Sequence, residues 1–322
     1  MTRESLEQRQ VWIYLLAVLL GLAVGRLWPE AAERLEALVW PGLALLLYAT
    51  FAQVSMRAVP QALKDGKLLV TALIGNFVLI PVMVWGLVQL APDNESLRLG
   101  LLLVLLVPCT DWFITFTQLG RGDAVRAAVL APILLLVQLL LLPAYLWLMA
   151  GEEFISVLTL AEVWPALLVV LLPLGFSALG EYRLAGHSGY QQLRTFLGWW
   201  PVPLLGLVIF IVAASHAGAV YQALHLLPVV VAIAAGFLVL SLVIARASAA
   251  VAQLPVQQGR TLAFTFGTRN SFIVLPFALA LPAGWEIVAI VVVMQSLVEL
   301  LGMIFCLWFV PRVLFPGTVS TQ

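Results

Sequence analysis

The chain has 322 residues, 63% of them apolar and only 10% charged, with sixteen acidic and sixteen basic side chains and a mean hydropathy of +1.08. A soluble domain carries about 25% charged residues, so this composition describes a polytopic all-α membrane protein, leaves no stretch for a soluble domain, and offers no basic tract or acidic tail that would suggest nucleic acid as a partner. The two cysteines, Cys109 and Cys306, lie inside apolar runs without a spacing partner, which excludes a disulfide framework and a zinc cluster.

Met1 to Gln10 is polar, and the first apolar run is followed by no small-residue cleavage site, so it reads as a retained anchor. A spanning helix needs about 20 mainly apolar residues. Such runs occur near Val11 to Leu27, Leu38 to Val54, Leu68 to Leu90, Leu97 to Leu119 and Ala124 to Ala150. The polar Gly120-Arg121-Gly122-Asp123 separates the last two. Five more follow near Val163 to Leu179, Phe196 to Ala214, Leu224 to Ala245, Thr261 to Leu281 and Ile287 to Val310. Ten spans lie in the lipid bilayer, five in residues 1–150 and five in residues 151–322.

Basic residues orient such a chain, because cytoplasmic loops carry the excess. Arg3, Arg9, Arg57, Lys64, Lys67, Arg121, Arg126, Arg183, Arg194, Arg246, Arg260 and Arg312 fall on one side of the ten-span arrangement. Only Arg26, Arg34 and Arg98 fall on the other, and Arg269 lies within a span. Both termini are therefore expected in the cytoplasm, with the protein in the cell membrane. Five is an odd number, so a duplicated five-helix unit inserts its second copy upside down, which is the inverted repeat of many secondary transporters.

The fourth and ninth spans are equivalent in that scheme, and both are interrupted. Pro108 breaks the fourth before Cys109, Thr110, Asp111 and Trp112. The ninth is interrupted at Gly267-Thr268-Arg269-Asn270, followed by Ser271. Non-helical backbone at membrane depth is tolerated only against protein or a water-filled cavity, and interrupted spans at matching positions point to a binding site. Asp111 and Arg269 are predicted at one depth, where opposite charges in a low dielectric are driven to pair. A permanent structural ion pair and a substrate or gating role are both open to them.

The tenth span carries Gln295, Glu299, Gly302 and Cys306 on one helical face. With Asp111 and Arg269, Glu299 brings the intramembrane charge to minus one, so one proton can bind without leaving excess charge; Glu299 and Asp111 are both candidates to carry it. A hydrogen-bonded anchor is the alternative for Glu299. Cys109 is the soft ligand of the set, suited to a metalloid or thiophilic ion, although buried cysteine commonly serves as a small apolar residue. No resident metal or cofactor is expected, and His187, His216 and His225 show no ligand spacing.

At these residues the chain resembles the superfamily of bile acid:sodium symporters and arsenical-resistance permeases. That resemblance implies ten helices in two inverted five-helix repeats, with discontinuous fourth and ninth helices that cross where they unwind. Val-Pro-Cys-Thr at 107 to 110, the Leu-Gly-Arg-Gly-Asp turn at 119 to 123 and Leu-Val-Glu at 297 to 299 are similar to the arsenite permeases. In those permeases the fourth-helix cysteine handles As(III), a role that would fall on Cys109. Sodium-coupled relatives carry Glu-x-x-x-Gln-Asn-Ser at the ninth-helix break, where this chain has Thr265 and Arg269 in place of the two sodium ligands. Sodium coupling is therefore not expected, and a proton is the simpler counter-ion. The chain also departs from the arsenite branch: Phe272-Ile273-Val274-Leu275 lacks the usual glutamate, and Asp111-Trp112 stands where small apolar residues are usual.

The expected function is secondary transport, exporting arsenite or a related small solute by proton exchange at the crossing. The alternative is an organic anion attracted by Arg269, without sodium coupling. An enzyme is not expected. Gly120-Arg121-Gly122-Asp123 matches the Gly-x-Gly-Asp of intramembrane aspartyl proteases, but it falls in a turn, and Asp111 is the only aspartate within a span.

Overall fold

In hydrocarbon every backbone amide and carbonyl must find its partner within the protein, so the apolar runs become helices. The computed structural model describes residues 3–58, 60, 66–149 and 160–317. Lys64 and the junction at residues 150 and 151, both used in the sequence-based topology, lie outside the described residues. In chain order the helices are α1 (Arg3–Leu27), α2 (Pro29–Glu36), α3 (Val39–Phe51), α4 (Gly66–Val88), α5 (Glu95–Leu106), α6 (Trp112–Leu119), α7 (Ala124–Met149), α8 (Leu160–Leu184), α9 (Ser188–Leu197), α10 (Pro201–Ser215), α11 (Ala217–Val251), α12 (Val256–Gly267), α13 (Ser271–Leu279) and α14 (Glu286–Leu314).

Among the described residues, α1, α4, α7, α8, α11 and α14 are each long and apolar enough to cross a membrane; α2 with α3, bent by 49°, and α9 with α10, bent by 43°, raise the number to eight. Large apolar side chains such as Leu19, Leu140, Trp147, Phe176, Val239 and Phe305 are exposed on their outer faces, as a lipid-facing surface requires. The remaining helices, α5 with α6 and α12 with α13, are the halves of the two spans predicted to be interrupted.

The helices pack in two groups. In one, α1 lies along α10, and α3 packs on both α8 and α10. In the other, α14 packs on α5, α11 and α13, while α11 lies on α12 and α4 on α5. Small residues set the closest approach: a Cβ added at Gly21 would fall 2.4 Å from the Phe210 carbonyl oxygen, and one at Gly25 would fall 2.2 Å from that of Ala214. These glycines, four residues apart on α1, let its backbone touch that of α10.

The Gly-Arg-Gly-Asp turn is structural. Arg121 adopts a left-handed φ of 59°, and Asp123 accepts from the Arg126 amide at 3.0 Å to cap α7, with the Arg126 side chain ion-paired to it. The Asp123 amide in turn donates to Thr261 Oγ1 at 2.9 Å, fastening the turn to α12.

Candidate functional site at the helix crossing

The two interruptions touch. Pro108 and Arg269 form an antiparallel bridge, the Cys109 amide donates to the Thr268 carbonyl at 3.1 Å, and the Asn270 amide donates to the Val107 carbonyl at 2.8 Å. Backbone released from two helices thus pairs with itself, which satisfies groups that would otherwise be stranded in hydrocarbon. Asn270 reinforces the junction: its Oδ1 accepts from the Ile273 amide at 3.3 Å to cap α13, while its Nδ2 donates to Thr110 Oγ1 at 3.1 Å. Thr268 closes α12 by donating its hydroxyl to the Phe264 carbonyl at 2.7 Å.

Cys109, Thr110, Trp112, Thr268, Arg269, Asn270, Ser271 and Glu299 are all buried there, and Asp111 is half-buried. The backbone amides of Asp111 and Phe113 approach the Cys109 sulfur. Trp112 stacks on Tyr14 of α1, ring centroids 6.2 Å apart, and meets Phe272 of α13 edge-on at 5.0 Å. It therefore joins both helix groups at the crossing. Asp111 and Trp112 line a small cavity of about 20 Å³ with Gln10, Thr115 and Trp199, room for about one water molecule.

The expected pairing of Asp111 with Arg269 is not what the structure contains. Among the described residues, the Arg269 guanidinium donates to the carbonyls of Leu105 at 3.3 Å, Thr265 at 2.9 Å and Phe266 at 2.9 Å, and to Asn76 Oδ1 at 3.0 Å. It also lies over the Phe237 ring, 5.2 Å from the centroid. The reason is directional. Arg269 reaches towards the carboxyl ends of α5 and α12, whereas Asp111 sits at the amino end of α6, at the cavity shared with α1 and the α9–α10 bend.

The acidic group nearest the second interruption is Glu299 instead. Both of its oxygens accept from the Arg269 backbone amide at 3.0 Å, and Gln295 Nε2 donates to it at 2.9 Å. The predicted polar face of the tenth span is thus turned onto the second interruption.

Asn76 and Phe237 were missed by the sequence reading. Asn76 is fully buried within the π-turn Gly75–Leu79 of α4, and its Nδ2 reaches the Ala72 carbonyl at 3.1 Å and Thr265 Oγ1 at 3.3 Å. An amide in the middle of an apolar run was the available signal. Phe237 carried none, since it is one apolar residue among many on α11. Gly75 permits the arrangement: a Cβ there would lie 1.8 Å from the Phe266 ring. On another face of the protein, an open cavity of about 1070 Å³ is lined by Lys67, Asp123, Arg126, Gln253 and Gln258.

A profile of the Sodium Bile acid symporter family matches residues 40–223. The arsenical-resistance protein Acr3 of Corynebacterium glutamicum is 27% identical over 223 residues, covering 63% of this chain and 60% of that relative's own length.

Proposed function

The chain belongs to the Sodium Bile acid symporter family, a family of membrane transporters rather than enzymes, and we propose that it exports arsenite or a related small solute in exchange for protons. The observation that carries this reading is Cys109: a buried thiol held between two interrupted spans, in a chain similar to an arsenical-resistance protein. A trivalent metalloid is a soft acid and binds thiols by preference.

In this reading the ten apolar runs are ten spans, with residues 1–150 and 151–322 as inverted copies and both termini in the cytoplasm of a cell-membrane protein. The recurrence of irregularities supports it. The bent pairs begin at residues 29 and 188, 159 positions apart, and Thr110 and Thr268 of the interruptions lie 158 apart. The two helix groups then rock against each other around the crossing, with Trp112 in contact with both. Cys109, Thr110, Asp111, Trp112, Thr268, Asn270 and Ser271 surround the solute. Of the two carboxylates, Asp111 reaches a cavity and exchanges the proton, while Glu299 is held by the Arg269 amide and balances its charge.

An organic anion fits less well, because the guanidinium expected to attract it is enclosed by carbonyl oxygens. The deciding experiment is arsenite resistance conferred on sensitive cells, with uptake into everted vesicles driven by an imposed proton gradient. Cys109→Ser is expected to abolish both at unchanged protein level. Unchanged resistance in that variant removes metalloids as cargo.

A further inference from the structure

Three carbonyls at the crossing have lost the amides that would normally serve them. In an uninterrupted helix Leu105 would accept from the amide of residue 109, Thr265 from that of 269 and Phe266 from that of 270. Here the Cys109 amide is diverted to Thr268, the Arg269 amide to Glu299 and the Asn270 amide to Val107. The released oxygens belong to the carboxyl ends of α5 and α12, two helix termini whose partial negative charges converge. All three, with Asn76 Oδ1, point at one guanidinium, while its Nε has no partner among the described residues.

Four neutral oxygens at converging helix carboxyl ends form a ligand set for a monovalent cation, the kind of place where half-helix ends and freed carbonyls hold an ion in transporters. We propose that the Arg269 guanidinium is a tethered cation that permanently fills a monovalent-cation site built from the Leu105, Thr265 and Phe266 carbonyls and Asn76. Two features of the structure support a cation over a simple structural hydrogen-bonding role. The Phe237 ring presents its electron-rich face to the guanidinium, and the Glu299 carboxyl group sits on the backbone amide of Arg269 itself rather than on its guanidinium.

The consequence is a crossing that carries its own positive charge and needs no inorganic cation at this place in the transport cycle. The inference rests on the proposed transport reading only for that consequence. Its test uses stability without any substrate, so its failure is distinguishable from a failure of arsenite export.

Arg269→Ala is purified into lipid nanodiscs and melted in sodium, potassium, guanidinium and choline chlorides at equal ionic strength, with guanidinium kept far below denaturing concentration. At least one of the three small cations is expected to raise the variant's melting temperature saturably, by a few degrees over choline, while the parent protein shows no such preference. A folded variant that melts identically in all four salts overturns the proposal. If Arg269→Ala cannot be purified in any of them, Arg269→Lys decides. A tethered ammonium must restore the fold without added cation, and a lysine variant as damaged as alanine overturns the proposal.

Discussion

The Arg269 backbone amide donates to both carboxylate oxygens of Glu299, each at 3.0 Å. A break in one span is thereby held by a carboxyl side chain from another, with Gln295 completing the shell at 2.9 Å. The carboxyl group serves two ends at once: it satisfies an amide diverted from its helix and places an acidic group beside a buried guanidinium.

Removing that carboxylate leaves the amide and the guanidinium uncompensated. Hydrogen bonds to charged groups are worth about 1.5–3 kcal/mol, so Glu299→Ala is expected to destabilise the protein by roughly that amount. Glu299→Gln, which keeps an acceptor but not the charge, should recover part of it. Thermal unfolding in nanodiscs checks both; equal melting of the alanine variant and the parent would show that the contact contributes nothing.

Gly75 is where α4 and Phe266 meet without a Cβ between them. Gly75→Ala must push the Phe266 ring aside, and over-packing of this kind costs about 1–3 kcal/mol. Because the Phe266 carbonyl is a ligand of Arg269, solute export is expected to fall along with the melting temperature. Gly86→Ala, whose new methyl meets nothing within 4 Å, is the control and should behave as the parent does.

Gly25 holds α1 against α10. Gly25→Leu drives side-chain atoms into the Ala214 carbonyl, where even a Cβ would stand 2.2 Å away, and is expected to cost about 1–3 kcal/mol. Cysteine cross-linking between α1 and α10 reads the separation directly: efficiency should drop in the Gly25→Leu background and be unchanged in Gly86→Ala.

Arg260 is 1% exposed and, among the described residues, binds backbone alone: its guanidinium donates to the carbonyls of Arg121 at 3.0 Å, Pro311 at 3.3 Å, Phe315 at 2.9 Å and Gly317 at 2.9 Å. A lysine ammonium has three donors and no planar fork, so it cannot span all four oxygens. Arg260→Lys is expected to loosen residues 310–317 and speed limited proteolysis there, with cleavage elsewhere unchanged. Parental protease resistance at that end would count against the arginine as its fastener.

The positions of both interruptions were legible in the sequence, because Pro108 cannot continue a helix and Thr268-Arg269-Asn270 has no place in an uninterrupted apolar run. The alignment of Gln295 with Glu299 followed from helical spacing alone. The bends between α2 and α3 and between α9 and α10 were not anticipated, since the second span was read from Leu38 and the seventh from Phe196, which left α2 and nearly all of α9 outside the apolar runs. The partner of Arg269 was not legible either. Depth along a span follows from counting residues, and on that measure Asp111 was the natural counter-charge.

The sequence by itself therefore determined that this chain lives in a membrane, where its spans break, and which charged groups lie inside, because hydrophobic length and helix-breaking chemistry are local properties of the chain. Only the tertiary structure decided what those groups face. It brought Leu105, Thr265, Phe266 and Asn76 from three helices onto one guanidinium, and it turned Asp111 towards a separate cavity. Which unsatisfied carbonyls and amides become neighbours depends on how helices cross, and that is set by packing between segments far apart in the chain.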